Sequence, residues 1–249
     1  MTTSGTTSFN LQLSEIVEEA FERAGGEMRT GYDLRTARRS LNLLFADWAN
    51  RGINLWTIEQ GSIGLYQGQA TYPLPNDMVD LLEHVIRTNA GNISTQADLT
   101  ITRISVSTYA TLPNKLQQAR PIQVWVQRNS GETYPATSTY SPAATATPQI
   151  TVWPVPDQGT QQDPYYTFVY WRMRRIQDAS SGTNNFDVPF RFLPCLASGL
   201  AYYIAMKLPE GQMRLDRLKA QYDEDWTFAA GEDREKAADR FVPRQMYIT

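Results

Sequence analysis

The chain has 249 residues and a formal net charge of −3, with 41% hydrophobic and 20% charged residues. These values are ordinary for a globular protein and argue against one whose main task is to grip nucleic acid phosphates, which requires clustered Lys and Arg. A single cysteine excludes an internal disulfide, and a single histidine removes the commonest general base from most catalytic sites. The sequence lacks a long apolar run and a signal-peptide pattern, which predicts folding in the cytoplasm.

A short helix is predicted near the start of the chain. Residues 1–8, rich in Ser and Thr, predict a flexible tail. From Leu13 to Ala24 the apolar residues recur at intervals of three and four, which is typical of an amphipathic helix, and Gly25 and Gly26 end it. The opposite face of this helix is acidic and carries Glu15, Glu18, Glu19 and Glu22.

A second amphipathic helix is predicted from Leu34 to Gly52, followed by a strand that contains Trp56. Asp33 is the candidate N-cap, and Gly52 suits the left-handed residue that follows a helix. The short link to the first helix favours an antiparallel helical hairpin. The apolar stripe consists of Leu34, Ala37, Leu41, Leu44, Phe45 and Trp48, and the charged face carries Arg35, Arg38 and Arg39.

Between Leu55 and Asp178 the helical period disappears, and runs rich in Thr, Val, Ile and Tyr alternate with Gly, Pro and Asn, which is typical of short strands and turns. The predicted strands are Trp56–Tyr66, Leu82–Thr88, Leu99–Ser105, Ile122–Arg128, Gln149–Trp153 and Tyr165–Arg174. Pro154 and Pro156 predict that the fifth strand ends there or runs along a sheet edge. The stretch Ser130–Pro148 predicts a long exposed loop.

Helical periodicity returns at Pro189. A nearly all-apolar helix is predicted up to Leu208 and must be buried between other helices, and Pro209 and Gly211 break it. A final helix has one apolar side and continues into the mixed-charge run Glu232–Lys236, which predicts a solvated face. The apolar side consists of Leu215, Leu218, Tyr222 and Trp226.

Helices at both ends of the chain and strands between them predict an α+β fold. The predicted division has a flexible tail over 1–8 and a helical subdomain built from 9–54 and 187–240. The β-rich insertion spans 55–186 and is expected to be sandwich- or barrel-like. The last residues, 241–249, are apolar, contain a proline and predict an extended arm.

Several side chains invite a catalytic or binding interpretation that the sequence does not support. His84 has no second histidine with which to share a metal, so a hydrogen-bonded strand residue is expected, and Cys195 is expected to be an inert buried thiol. The acidic side chains Asp77, Asp80 and Glu83 are expected to be solvated rather than to act as an acid/base group. The basic groups Arg38–Arg39 and Arg172–Arg175 could contact DNA or an acidic helix of a neighbouring copy, and we favour the neighbour.

Five segments together resemble a known protein family. They are DLRTARRSLNLLFADWANRGINLW (Asp33–Trp56), YATLPNKLQQARPIQVWVQRN (Tyr109–Asn129), TVWPVPD (Thr151–Asp157), YWRMRRIQD (Tyr170–Asp178) and VPFRFLPCLASGLAYYIAMKLP (Val188–Pro209). In this order, the chain from Leu13 to Pro243 resembles the head-to-tail adaptor proteins of short-tailed bacteriophages, also called tail tubular protein A or gatekeeper-like connector proteins.

The resemblance implies a structural virion protein with no enzymatic activity and no cofactor. It implies a homo-oligomeric ring of about twelve copies, a dodecamer, beneath the portal protein. This ring joins the portal to the tail nozzle protein and leaves a channel through which double-stranded DNA passes during ejection without specific binding. The implied location is the tail connector of the virion, assembled in the host cytoplasm without a membrane.

Two contact surfaces follow as hypotheses. An extended apolar arm is suited to adding a strand to a partner, so the portal-binding residues are predicted to be Phe241, Val242, Pro243, Arg244, Met246, Tyr247 and Ile248. The predicted interface between copies pairs the acidic residues of the first helix with the basic residues of the second. It consists of Glu15, Glu18, Glu22, Arg35, Arg38 and Arg39.

Two other functions remain open from the sequence. The aromatic-rich middle of the chain would also suit a carbohydrate- or cell-surface-binding tail module, because aromatic rings can stack on sugars. A hydrolase that uses paired carboxylates is the weakest alternative, since no motif supports it.

Overall fold

The protein was analysed as a computed structural model that describes residues 5, 9, 11–29, 31–52, 55–128, 148–179 and 185–234. Within these ranges the chain forms five α-helices and eight β-strands, and the predicted α+β class is confirmed. The chain divides into two compact units. One consists of Met1–Trp56 with Ile176–Thr249, and the other consists of Thr57–Arg175.

The helical unit contains four longer helices. They are α1 (Leu13–Ala24), α2 (Gly31–Arg51), α4 (Leu193–Ala205) and α5 (Leu215–Glu232), with short 3₁₀ turns at Phe190–Phe192 and Pro209–Arg214. The predicted bounds of α1 are confirmed, because local signals set both ends. The Gln12 N–H donates a 2.8 Å hydrogen bond to the Glu15 carboxylate, and Gly25 adopts a φ of 90° just after the last turn.

Helix α2 begins three residues earlier than the predicted start at Leu34. Asp33 therefore lies in the first turn and is not the N-cap, and its carboxylate accepts a 3.1 Å hydrogen bond from the Arg29 N–H. A carboxylate in this turn is favourable because the N-terminal end of a helix is electropositive. Gly52 follows the helix with a φ of 149°, a conformation that L-residues rarely adopt, as the sequence predicts.

The core of the helical unit is built around Trp48, which is fully buried as predicted. Its indole Nε1 donates a 3.0 Å hydrogen bond to the hydroxyl of Tyr222 on α5, and its ring lies 5.4 Å from that of Trp226. Helix α4 packs closely against α5 at Gly199. A Cβ atom added to Gly199 would lie only 2.9 Å from the Tyr222 ring. The nearly all-apolar helix is thus buried between others, as predicted.

Trp56 does not enter a strand, which corrects the predicted start of the first strand. It lies in a 3₁₀ turn at Leu55–Thr57, where its indole N–H donates a 3.1 Å hydrogen bond to the Asp187 carbonyl. Its ring packs 4.6 Å from that of Phe192 in the helical core.

The end of α5 also differs from the prediction of a solvated charged run. Asp233 is 8% exposed. Its carboxylate pairs with the Arg191 guanidinium and accepts a 2.9 Å hydrogen bond from the Leu55 N–H. This carboxylate therefore ties together three segments of the helical unit that lie far apart in the sequence.

The β-rich unit has two four-stranded sheets that share one core. The first has the order β1 (Ile58–Leu65), β8 (Tyr166–Arg174), β3 (Met78–Thr88) and β4 (Ala97–Thr100). The second has the order β2 (Thr71–Pro73), β7 (Gln149–Trp153), β6 (Gln123–Gln127) and β5 (Thr102–Ile104). Phe168 and Ile86 of the first sheet pack with Val124 and Ile150 of the second, which is a sandwich rather than a closed barrel.

The observed strands differ from the predicted ones in several details. Strand β3 begins at Met78, four residues before the predicted start at Leu82. The strand predicted over Leu99–Ser105 is two strands, because the chain leaves the first sheet after Thr100 and enters the second at Thr102. Strand β2 and the short helix α3 (Val106–Ala110) were not predicted, since both are too short to show a period. Strand β7 is central, so the prolines that follow Trp153 end the strand and do not mark an edge.

Candidate subunit interface

The outer face of α1 is acidic and exposed. Glu15 and Glu19 are engaged within the chain, since Glu15 caps the helix and Glu19 accepts a 2.7 Å hydrogen bond from Arg23. Glu18 and Glu22 are exposed and form no ion pair with any other described residue. Within the described part of the chain, these two carboxylates of the surface therefore have no cationic partner.

The outer face of α2 carries both basic and apolar side chains. Arg35, Arg38 and Arg39 are exposed, as predicted for a contact surface. Tyr32 and Leu43 lie on the same face with 66% and 56% of their surface exposed. These two residues were not predicted to belong to a contact surface, although their helical spacing from Arg35 and Arg39 could have identified them.

Positive charge is concentrated beside this face. The Lys207 ammonium donates a 2.6 Å hydrogen bond to the Ser40 hydroxyl. Burial lowers the pKa of Lys207, and the neighbouring positive charge of Arg39 lowers it further. Neither Arg35 nor Arg39 pairs with a carboxylate of the described part of the chain, so an acidic partner would relieve this repulsion.

A groove with a volume of about 530 Å³ lies between α1 and the start of α4. Two aromatic side chains line it with most of their surface exposed, Phe9 at 74% and Phe190 at 78%. The other lining residues are Leu11, Glu15, Glu19, Arg23, Leu193, Pro194 and Ala197. This groove was not predictable from the sequence, because its walls come from both ends of the chain.

Two arginines of the basic run at Arg172–Arg175 are paired within the chain, which corrects the contact hypothesis for Arg172 and Arg174, whereas Arg175 is exposed. Arg172 donates hydrogen bonds to Asp77 and, over 2.9 Å, to Glu59. Arg174 donates a 2.7 Å hydrogen bond to Glu59. Both guanidiniums are largely buried, with 11% and 12% of their side-chain surface exposed, so their charge is satisfied within the first sheet.

Two of the three carboxylates expected to be solvated are ion-paired. The hydrogen bond from Arg172 lowers the pKa of Asp77. Asp80 pairs with Arg103 at 3.0 Å and with Arg128 at 3.1 Å. Glu83 is exposed, as expected. The arrangement stabilises the β-rich unit, because each Arg is held by carboxylates from neighbouring strands and turns.

His84 lies in β3, as predicted, but its ring makes no well-formed hydrogen bond to another described residue. Both of its ring nitrogens are buried without a partner among the described residues, and the ring lies 5.8 Å from that of Phe168. Burial lowers the pKa of His84 because it disfavours the charged ring. Cys195 is buried, and burial raises the pKa of its thiol to about 12, which confirms the expected inert thiol.

The aromatic side chains of the second sheet are engaged with their own chain. Tyr109 of α3 stacks on Trp125 with ring centroids 5.0 Å apart, and the Trp153 indole N–H donates a 2.9 Å hydrogen bond to the Asn114 carbonyl. The stacking covers a ring face of Trp125 on which a sugar could stack, and the Trp153 indole N–H is already used as a hydrogen-bond donor. They therefore weaken the alternative of a carbohydrate-binding module.

Some predicted features lie outside the described residues. These are the portal-binding arm at Phe241–Thr249 and the loop at Ser130–Pro148 except for Pro148. Across the described ranges, no group of three or more His, Cys, Asp or Glu side chains is placed to hold a metal ion. None of the helices described above combines the length and apolar character needed to cross a membrane.

Comparison with known proteins points to a phage component. A search of curated proteins gave no match. The model of a family described as SU10 adaptor protein matches residues 11–245, which is nearly the whole chain and includes both units. Such an adaptor is a structural part of the virion, in contact with other capsid or tail components, and proteins of this kind are typically non-enzymatic. The chain therefore belongs to the SU10 adaptor protein family of phage head–tail adaptors.

Proposed function

We propose that this adaptor forms a ring beneath the portal of a short-tailed phage, joins the portal to the tail nozzle, and leaves a channel for the genome. The family match over residues 11–245 carries the proposal. The proposal includes the domain division predicted from the sequence, in which a helical subdomain makes the contacts and carries a β-rich insertion. The expected copy number is about twelve, as closed cyclic symmetry allows.

The contact between neighbouring copies is proposed to include ion pairs between an acidic helix face and a basic helix face. Glu15, Glu18 and Glu22 of one copy would face Arg35, Arg38 and Arg39 of the next. The exposure of all six residues supports this pairing. Since the acidic and basic faces belong to different helices, each copy would use one face toward each neighbour, which is how a ring is built.

The net charge supports transient passage of DNA. Each Lys or Arg contact to a phosphate adds salt-dependent affinity, so a channel for rapid passage should offer few such contacts. A chain with a net charge of −3, repeated around a ring, repels DNA overall. Assembly of this ring is proposed to occur in the host cytoplasm, without a membrane.

The C-terminal arm is proposed to bind the portal. It contains Phe241, Val242, Pro243, Arg244, Met246, Tyr247 and Ile248. Ordering each residue costs roughly 1–2 kcal/mol, whereas each hydrogen bond returns only about 0.5–1.5 kcal/mol, so a single arm binds weakly. Arms presented together by a ring act at high effective concentration, which couples attachment to assembly.

Deletion of residues 241–249 tests this proposal. The truncated chain should keep the wild-type circular dichroism spectrum and fail to co-sediment with portal rings, because the arm contributes to attachment and not to the helical core. Deletion of residues 1–8 is the matched control and should leave attachment intact. If the chain without 241–249 attaches to portal as well as wild type does, the arm is not the portal-binding segment.

A further inference from the structure

We propose that the groove between α1 and α4 receives the outer stripe of α2 from a second copy of this chain. The stripe is defined as Tyr32, Arg35, Arg39 and Leu43. This inference rests on the proposed ring, and it adds an apolar docking site and its occupant to a contact otherwise described by charge alone.

The apolar lining of the groove calls for an apolar occupant. Phe9 and Phe190 expose 74% and 78% of their surface in the isolated chain, and Leu193 and Pro194 form the adjacent wall. Large apolar side chains exposed together mark an interaction site, because water is a poor solvent for them. The aromatic ring of Tyr32 or the side chain of Leu43 suits such a groove.

The charges at the rim of the groove select a basic occupant. Glu15 and Glu19 line the groove together with Arg23, which pairs with Glu19. Glu18 and Glu22, which form no ion pair with another described residue, lie on the same exposed face of α1. Within the described part of the chain, Arg35 and Arg39 pair with no carboxylate, and Arg39 lies close enough to Lys207 to lower its pKa. Bringing the two faces together places opposite charges side by side.

The length of the stripe on α2 also agrees with the length of α1, which forms one wall of the groove. Tyr32 and Leu43 are eleven positions apart, which is about 16 Å along an α-helix, and the twelve residues of α1 span about 18 Å. Arg35 and Arg39 are four positions apart, as are Glu18 and Glu22, so the spacing of the two guanidiniums matches the spacing of the two carboxylates. An apolar side chain lies at each end of the stripe and can enter the groove.

The contact is heterologous, since the groove and the stripe are different surfaces. A dimer formed in this way leaves one free groove and one free stripe, so further copies can add until the ring closes. A contact that used the same surface on both copies would instead stop at a dimer.

Cross-linking of two variants, each with one added cysteine, tests the proposal. Leu43→Cys places a thiol on the stripe and Pro194→Cys places one beside the groove, both at exposed positions. The native Cys195 is buried and contributes little background. Mixed in equal amounts and treated with a short bismaleimide, the two variants should give a mixed dimer about tenfold above the level of a control pair, because bound copies hold the thiols at high effective concentration.

The control pair is Leu43→Cys with Ile93→Cys, whose position in the β-rich unit is fully exposed. A mixed dimer no more abundant than in this control overturns the proposal. Tyr32→Cys with Phe190→Cys is a second pair in case either first variant folds poorly, and circular dichroism checks each variant.

Charge reversal tests the rim. Glu18→Lys with Glu22→Lys in the groove copy should lower the cross-linked yield about tenfold, because like charges then face each other. Arg35→Glu with Arg39→Glu in the stripe copy should restore the yield, and failure to restore it overturns the proposed pairing. Attachment of the wild-type protein to portal rings is measured in a separate experiment. If wild type cross-links as expected but does not attach to portal, the adaptor function is refuted and the docking site is not.

Discussion

Replacing Asp233 by Ala should destabilise the helical unit more than removing an exposed carboxylate from α5 does. The side chain of Asp233 keeps only 3% of its surface exposed, although the local sequence is a mixed-charge run. Its carboxylate pairs with Arg191 and accepts the Leu55 N–H. The substitution therefore leaves a guanidinium without its counter-charge and an amide N–H without its acceptor.

The expected loss of free energy of unfolding is about 3 kcal/mol. Breaking a fully buried ion pair costs about 3–5 kcal/mol, but the Arg191 side chain is 35% exposed and solvent screens its charge, so about 2 kcal/mol is expected. The orphaned Leu55 N–H adds about 1 kcal/mol, since Leu55 is half-buried and partly accessible to water. Asp233→Asn keeps an acceptor and should cost about half as much.

Thermal unfolding followed by circular dichroism provides the assay. A loss of about 3 kcal/mol corresponds to a decrease in Tm of about 6–12 °C for a chain of this size. Glu224→Ala is the matched control, because it removes a carboxylate from an exposed position of the same helix. If Asp233→Ala lowers Tm no more than Glu224→Ala does, the carboxylate does not hold these segments together.

Three further substitutions probe the β-rich unit and helix α5. Gly61→Ala should destabilise the protein by about 1–3 kcal/mol in urea unfolding, because a Cβ at Gly61 of β1 would clash with the buried Tyr170 ring. Gly231→Ala in α5 places its Cβ in open space, so it should be neutral or stabilising in the same assay. Asp77 has a pKa lowered by the hydrogen bond from Arg172, so its stabilising contribution is present above about pH 4 and is lost as pH falls through the folded-state value. Urea unfolding at stepped pH should show this loss in wild type and a flatter profile in Asp77→Asn; identical profiles would contradict the assignment.

Much of the fold was predictable because its signals are local. The bounds of α1 follow from an apolar stripe that ends at Gly25, and β7 ends at Trp153 because prolines follow it. The split of the predicted strand over 99–105 was not predictable, since both halves have strand-like composition. Only the pairing partners, β3 for one half and β6 for the other, distinguish them.

The candidate site was predictable in part for the same reason. The exposure of Glu18, Glu22, Arg35 and Arg39 follows from helical periodicity within one helix at a time. The hypothesis about Arg172 was wrong because its partners Asp77 and Glu59 lie 95 and 113 residues away, a pairing that no local pattern reveals.

The sequence by itself determined the α+β class, the ends of α1 and the charged faces of the first two helices, since each depends on residues close together in the chain. The tertiary structure decided which charges remain available. Strand pairing neutralises Arg172, packing buries Asp233, and the approach of α1 to α4 creates the groove. These outcomes depend on contacts between segments distant in sequence, where desolvation and geometry, rather than residue type, decide whether a side chain is buried, paired or available to a partner.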